Sequence, residues 1–347
     1  MDYLYNDNSV DKMSNLLPWS EKYRPSEISN IIYHEKITKT ITNFMELKKL
    51  PHLLFYGPPG TGKTSTIVTI AKHYYKEDFY NMVLILNASE ERGIETVRNR
   101  IKQFVTTCGL SEIESTPKFK LIILDEIDAM TEDAQAILRK VVEKYVNNVR
   151  FCFICNYLKK INPAIQSRCT IFRFKPIPYI YMEKFINMVC NKEKININID
   201  STKLIINKTN GDMRKLLNIL QSIYMYINNS ENKCNIITEL DVSKILSCPT
   251  NNNIILILEI LQNNILEKSC EKIIDIVNNE GISLIELINC VYDYFINSII
   301  NNDNTVIKYD LDKSIKIIKN LCIINENITY CNNDNIQLIS FISIFYL

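Results

Sequence analysis

The chain is poor in glycine, tryptophan and histidine, and its prolines and arginines are confined to part of its length. Seven glycines, one tryptophan and three histidines stand among 347 residues. His34, His52 and His73 show no metal-ligand spacing, so a histidine-built metal centre is not expected. No proline lies between Pro178 and Pro249 or beyond Pro249, which suits long helices on both sides of a break at Cys248-Pro249-Thr250. No arginine follows Arg214, so the positions that demand a planar, bidentate guanidinium all precede it. A net charge of +1 makes no whole-molecule case for nucleic acid; such binding would need a local patch. The first residues lack a basic segment followed by an apolar one, and the densest apolar run, residues 254–261, is short and broken by Glu259. A soluble intracellular protein, with no membrane association, is the expectation.

Cysteine, by contrast, is plentiful, but the eleven thiols have no regular spacing of the kind a disulfide framework shows. Cys152 and Cys155 form a C-x-x-C inside a predicted strand, Arg150-Phe151-Cys152-Phe153-Ile154-Cys155. Residues three apart on a strand point to opposite faces, so a shared metal is not expected. With 347 residues and 46% apolar content, two or three domains are anticipated.

Three of the seven glycines fall in one stretch, Phe55-Tyr56-Gly57-Pro58-Pro59-Gly60-Thr61-Gly62-Lys63-Thr64-Ser65. The spacing G-x-x-x-x-G-K-T, after an apolar strand-like run and before a helix-like one, is a phosphate loop. Its glycines let successive backbone N–H groups curl around phosphate oxygens at a helix N-terminus. Residues 57 to 65 (Gly57, Pro58, Pro59, Gly60, Thr61, Gly62, Lys63, Thr64, Ser65) are thus assigned to nucleotide, with Lys63 at the β/γ-phosphates and Thr64 on Mg²⁺. A chance glycine-rich turn would not sit between those two elements.

Residues 18–25, Pro18-Trp19-Ser20-Glu21-Lys22-Tyr23-Arg24-Pro25, read by themselves as an extended, rigid turn with an aromatic plug. Helical spacing follows in Ile37, Ile41, Phe44 and Met45. Residues 83–87 form a fully apolar strand, after which a helix carries Arg92, Arg98, Arg100 and Lys102. A solvated basic face is the bland account of that helix. The run Leu121-Ile122-Ile123-Leu124 ends in Asp125-Glu126, and carboxylates at such a strand end sit where open α/β sheets bind ligands. Asp125 is expected to share the Mg²⁺ with Thr64, and Glu126 to polarise the attacking water. Thr131 caps the next helix. Asn156 ends another apolar strand at the same sheet edge and could hold that water or the γ-phosphate. Arg168 follows a short helix; if it cannot fold back to its own loop it is available to a neighbour's, the profile of an arginine finger acting in trans. Arg214 stands in the first turn of a helix, where the dipole calls for a compensating anion such as bound nucleotide. Beyond residue 250 the Asn clusters (Asn251 to Asn253, Asn278-Asn279, Asn301-Asn302) read as loops between apolar helices that need partners, hence an oligomerisation domain. A guanine-reading motif is missing, since Asn207-Lys208-Thr209-Asn210 lacks the aspartate.

Residues 18–25, the phosphate loop, Leu86-Asn87-Ala88-Ser89-Glu90-Glu91-Arg92-Gly93-Ile94, Leu124-Asp125-Glu126-Ile127-Asp128-Ala129-Met130-Thr131, Cys155-Asn156-Tyr157, Ser167-Arg168-Cys169 and Gly211-Asp212-Met213-Arg214 together resemble the small subunits of replication factor C, AAA+ clamp-loader ATPases. The resemblance implies an α/β fold: an AAA+ P-loop NTPase core with a parallel sheet (residues 1–178), a helical lid (179–248) and an all-α C-terminal collar (249–347). It implies that Lys63, Thr64, Asp125, Glu126, Asn156 and Arg214 serve bound ATP and Mg²⁺, that Tyr23 and Arg24 also contact the nucleotide, and that Arg168 serves the adjacent subunit's site. It further implies that Arg92 and Arg98 face primer-template DNA, that the partners are the other subunits of a hetero-pentamer and the sliding clamp PCNA, and that the setting is the nucleus. A non-hydrolysing nucleotide-binding scaffold in the same ring is the alternative. Glu126 separates the two, because a scaffold has no need of a water-activating carboxylate.

Overall fold

The structure, a computed structural model, describes residues 17–89, 94–106, 119–229, 236–301, 310–328, 330 and 333–346. The chain divides into two compact units, residues 1–195 with 205–221, and residues 196–204 with 222–347.

The first unit is built on a five-stranded parallel sheet: β1 (His52–Tyr56), β2 (Val83–Asn87), β3 (Lys120–Asp125), β4 (Val149–Cys155) and β5 (Cys169–Arg173), in the order β2-β3-β4-β1-β5. The central strands are continuous apolar runs because both faces are covered. Leu53, Phe55, Leu121, Ile123, Cys152 and Ile154 pack on one side with Ile41, Met45, Ile67 and Ile70 from the helices Glu35–Glu46 and Lys63–Tyr75. Leu54, Ile122, Leu124, Phe151, Phe153 and Cys155 pack on the other with Leu138 and Val142 of the helix Glu132–Lys144. Cys152 and Cys155 thus lie on opposite faces of the sheet, and burial raises both thiol pKa values, that of Cys155 to about 12. β2 is apolar in sequence but lies at the sheet edge, where Ile85 is left 45% exposed.

Local chemistry sets several boundaries. Thr131 Oγ1 accepts from Ala134 N–H at 3.3 Å and starts the helix Glu132–Lys144. Residues 18–25 are not extended throughout: Pro18 stands at the N-cap with φ −55°, and its carbonyl accepts from Glu21 and Lys22 N–H, so Trp19–Lys22 is a helical turn. Gly211, at φ +83°, turns the chain between the helices Ile199–Thr209 and Met213–Asn229.

The second unit is helical, with Glu239–Ile245, Asn251–Asn263, Leu266–Glu280, Leu284–Asn301, Leu311–Ile328 and Asp334–Ser343 among its helices. Ile257, Leu258, Leu287, Phe295, Leu321 and Phe341 are at the heart of its core. The Asn clusters are helix ends here, not loops. Thr250 Oγ1 accepts from Asn253 N–H at 3.2 Å, which winds Asn251 to Asn253 into a first turn. Asn278-Asn279 lie in the last turn of Leu266–Glu280, stopped by left-handed Gly281. Asn301 ends a helix, and Asn302 lies outside the described residues. Among the described residues no helix is long and apolar enough to cross a membrane.

Candidate active site

A cavity of ≈ 320 Å³ opens where the loop after β1 meets the carboxyl ends of β3 and β4. It is the position at which parallel sheets bind ligands. The helix Lys63–Tyr75 begins at Gly62, which takes φ +89°, and no side chain caps it, so its first N–H groups face the cavity's loop without a protein acceptor from the cap. Pro59, Gly60, Thr61, Gly62, Lys63, Thr64 and Ser65 line the cavity, joined by Asp125, Glu126 and Asn156 from the strand ends and by Tyr23, Arg24 and Arg214. Gly57 and Pro58 act from behind, through their carbonyls.

Lys63 Nζ donates to the carbonyls of Gly57 and Pro58, both at 2.8 Å, and to Asn156 Oδ1 at 2.9 Å. All three acceptors are neutral. Burial therefore lowers the lysine pKa, against the pull of Asp125 and Asp128, and Arg214 lowers it further. An ammonium held at 7% exposure by neutral acceptors gains most from a phosphate brought against it. One residue along, Thr64 Oγ1 donates to Asp125 Oδ2 at 2.6 Å. Two hard oxygen donors meet there, next to a phosphate-binding loop, and this fits a magnesium ion.

The backbone turns sharply after Asp125. Glu126 N–H donates to Asp125 Oδ1 at 2.9 Å, and Glu126 takes φ +55°, a left-handed conformation uncommon for glutamate. Consecutive carboxylates are thereby given separate directions, and Glu126 is exposed in the cavity wall. Asp128 accepts from the N–H groups of Asn156 and Tyr157, both at 3.2 Å, and so pins the end of β4.

At several residues of the site the sequence pattern did not disclose the role. Asp212 is one: its Oδ1 accepts from Arg214 N–H at 2.8 Å and Lys215 N–H at 3.0 Å, so the anion at this helix start is supplied by the chain itself. The Asn-Gly-Asp stop before a helical run was the available clue. Met213 N–H also donates to Gly60 O at 3.1 Å, joining the helix of Arg214 to the phosphate loop. Ile31, Ile32, Ile177, Phe185 and Leu217 form an apolar part of the lining and come from segments without a motif. A cavity with a phosphate loop and an apolar wall has the two chemistries a nucleotide presents.

Arg168 does not line the cavity. Its guanidinium donates to Ala164 O at 2.7 Å and to Glu143 Oε1 at 2.6 Å, the same oxygen that Arg139 Nε approaches at 3.0 Å. Arg98 is exposed on the helix Ile94–Thr106, while Arg92 lies outside the described residues.

Residues 53–177 match the ATPase family associated with various cellular activities (AAA). A solved structure with a similar fold is the Thermotoga maritima RuvB Holliday junction branch migration motor: TM-score 0.51, 14% identity, covering 75% of this chain and 86% of that one. Among curated relatives, a probable replication factor C subunit 5 of Dictyostelium discoideum is 41% identical over 334 residues, 95% of this chain and 91% of its own. Replication factor C subunit 5 of Homo sapiens is 40% identical over 332 residues, 95% of this chain and 91% of its own. Replication factor C subunit 3 of Saccharomyces cerevisiae is 49% identical over 215 residues, 62% of each chain. Identity of 40% sustained over 95% of the chain, with the AAA match lying on the sheet that frames the cavity, means that this chain belongs to the replication factor C subunits, the AAA+ clamp-loader ATPases.

Proposed function

We propose that this subunit binds ATP with Mg²⁺ in the cavity beside residues 57–65 and hydrolyses it within a hetero-pentameric ring that loads the sliding clamp PCNA onto primer-template DNA, in the nucleus, during replication and repair. The observation that carries the reading is the pair of contacts at the loop, Lys63 to Asn156 and Thr64 to Asp125, which bring three elements distant in sequence together at the phosphate loop.

Each residue then has a task. The N–H groups of the loop cradle the phosphates, and Lys63 leaves its neutral acceptors for the β/γ-phosphates. Thr64 and Asp125 would hold the metal, which when bound would offset the negative charge of the phosphates. Glu126 orients the attacking water and polarises it, and Asn156 holds that water or the γ-phosphate. Tyr23 and Arg24 contact the nucleotide from the lid side, Arg214 reaches the phosphates in cis, and Arg168 is delivered to the neighbour's site. Arg92 and Arg98 face the DNA backbone. A division into an ATP-binding core (1–178), lid (179–248) and collar (249–347) suits these tasks, because the lid brings Arg214 to the core's loop.

Lys63→Ala should abolish measurable ATP binding to the purified chain, and Glu126→Gln should keep binding while slowing hydrolysis by the assembled complex at least a hundredfold. Normal affinity in the first variant would remove the ATP-site assignment. Unchanged hydrolysis in the second would favour a non-hydrolysing scaffold.

A further inference from the structure

Tyr23 and Phe185 both line the cavity, and their rings meet edge-on with centroids 6.3 Å apart. The Tyr23 hydroxyl donates to Glu193 Oε1, and Lys22 Nζ reaches the same oxygen at 2.6 Å. Glu193 is the last residue of the helix Tyr179–Glu193. Its side chain is 12% exposed and that of Lys22 21%, so this pair is shielded from water in a way that surface ion pairs are not. Burial opposes ionisation of Glu193, but the bonds from Lys22 and Tyr23 outweigh it and keep the carboxyl below its usual pKa. Burial, followed by the bond to Glu193, raises the Tyr23 phenol.

The turn Trp19–Lys22 is also anchored at its other end. Trp19 N–H donates to Gln221 Oε1 at 3.0 Å, on the helix that carries Arg214. One short turn therefore touches the cavity through Tyr23 while bonded to two helices that each give the cavity a side chain, Phe185 and Arg214.

We propose that Glu193 is a positioning residue of the ATP site: by collecting Lys22 and Tyr23 on one carboxylate oxygen it presets the Tyr23 ring against the nucleotide, so that its loss weakens ATP binding and leaves the chemical step alone. The inference rests on the cavity being the ATP site. The physical reason is preorganisation, since a Tyr23 freed from Glu193 must be ordered each time nucleotide binds.

The test uses the full chain, with ATP binding read by equilibrium dialysis of labelled ATP and by emission of Trp19, the only tryptophan and 5% exposed. Glu193→Ala should raise the Kd for ATP about tenfold, the size of one charge-assisted bond. Glu193→Gln, which keeps an acceptor for Tyr23 and drops the charge facing Lys22, should raise it about threefold. In the assembled complex KM should rise by similar factors with kcat within about twofold of wild type. The ATP-induced rise in melting temperature should shrink in both variants. A Kd within twofold of wild type in both, with Lys63→Ala unable to bind, overturns the inference and leaves the ATP site standing; normal binding by Lys63→Ala removes the site and the inference together. Equal destabilisation with and without ATP marks Glu193 as a structural staple and likewise overturns it. Should Glu193→Ala fail to fold, Glu193→Gln and Lys22→Met decide by the same Kd criterion.

Discussion

At Gly60 the φ of +66° and the position of Asp212 act together, because a Cβ there would lie 1.7 Å from Asp212 Oδ1 and 2.3 Å from its Cγ. Asp212 caps the helix of Arg214, so the clash would fall on the carboxylate that accepts from Arg214 and Lys215 N–H, one residue before the Met213 N–H that bonds to Gly60 O. Gly60→Ala should cost about 2 kcal/mol or more, combining strain with a lost cap, and should weaken ATP binding. Gly281→Ala, at φ +62° with nothing within 4 Å of the added atom, should cost only about 1 kcal/mol. Thermal melting of the two variants compares them directly, and equal losses would mean that the Asp212 contact is of no consequence. Two buried histidines give a pH signature. Burial lowers His34 and His52 to about 4, opposed at His34 by the Thr61 carbonyl and reinforced at His52 by Arg150. Between pH 6.5 and 4 the unfolded chain binds more protons than the folded one, so the stability these residues carry is complete above about 6.5 and is lost as pH falls toward 4. The loss is up to about 3 kcal/mol for each. Melting temperatures at pH 7 and pH 5 should show the decline, and His34 and His52 resonances titrating near 6.5 would contradict it.

Among elements, the short helix Pro163–Gln166 and the edge strand β5 decide what Arg168 can reach. Held by Ala164 O and Glu143, Arg168 stands outside its own cavity. Arg168→Ala should therefore leave the subunit's own ATP affinity within about twofold of wild type while lowering complex ATPase a hundredfold or more at the neighbour's site. Lysine should not restore full activity, because a point ammonium lacks the paired donors. Mixed complexes with single ATP sites disabled locate the defect; a loss confined to the variant's own site would reverse the assignment. Arg214→Ala, in cis, should instead weaken the subunit's own binding. Central strands β3 and β4 were readable as apolar runs because both faces are buried. The edge position of β2 was not, since an apolar pentapeptide is the same string with one neighbour or two.

For the molecule as a whole, Lys63, Thr64, Asp125, Glu126 and Asn156 line one cavity, whereas Arg168 does not. The isolated subunit should turn over ATP at least tenfold more slowly than the complex. Equal rates, measured per ATP site, would mean that every catalytic group is supplied in cis. The second unit has its own core around Leu287, Phe295 and Phe341, yet leaves Ile315, Ile323, Ile336 and Ile339 between 45% and 58% exposed, which suits packing against other subunits of a multi-subunit complex.

What the sequence determined by itself is whatever chemistry forces into a contiguous string. A phosphate loop must offer glycines, a lysine and a threonine in fixed succession, and a buried strand ending in Asp125-Glu126 must be apolar up to that point. Thr131 likewise sits next to the helix it starts. The tertiary structure alone decided which distant residues face these strings. Lys63 donates to Asn156 across 93 positions and Lys22 to Glu193 across 171, pairings that no local string announces, whereas the approach of Thr64 to Asp125 across 61 positions follows from the metal both are expected to hold. Ile31, Ile177 and Leu217 become part of a cavity wall only because the sheet and its flanking helices bring them there. An apolar side chain bears no mark of which apolar surface it will cover, since the hydrophobic effect is non-directional, and the choice is made by close packing of the whole unit.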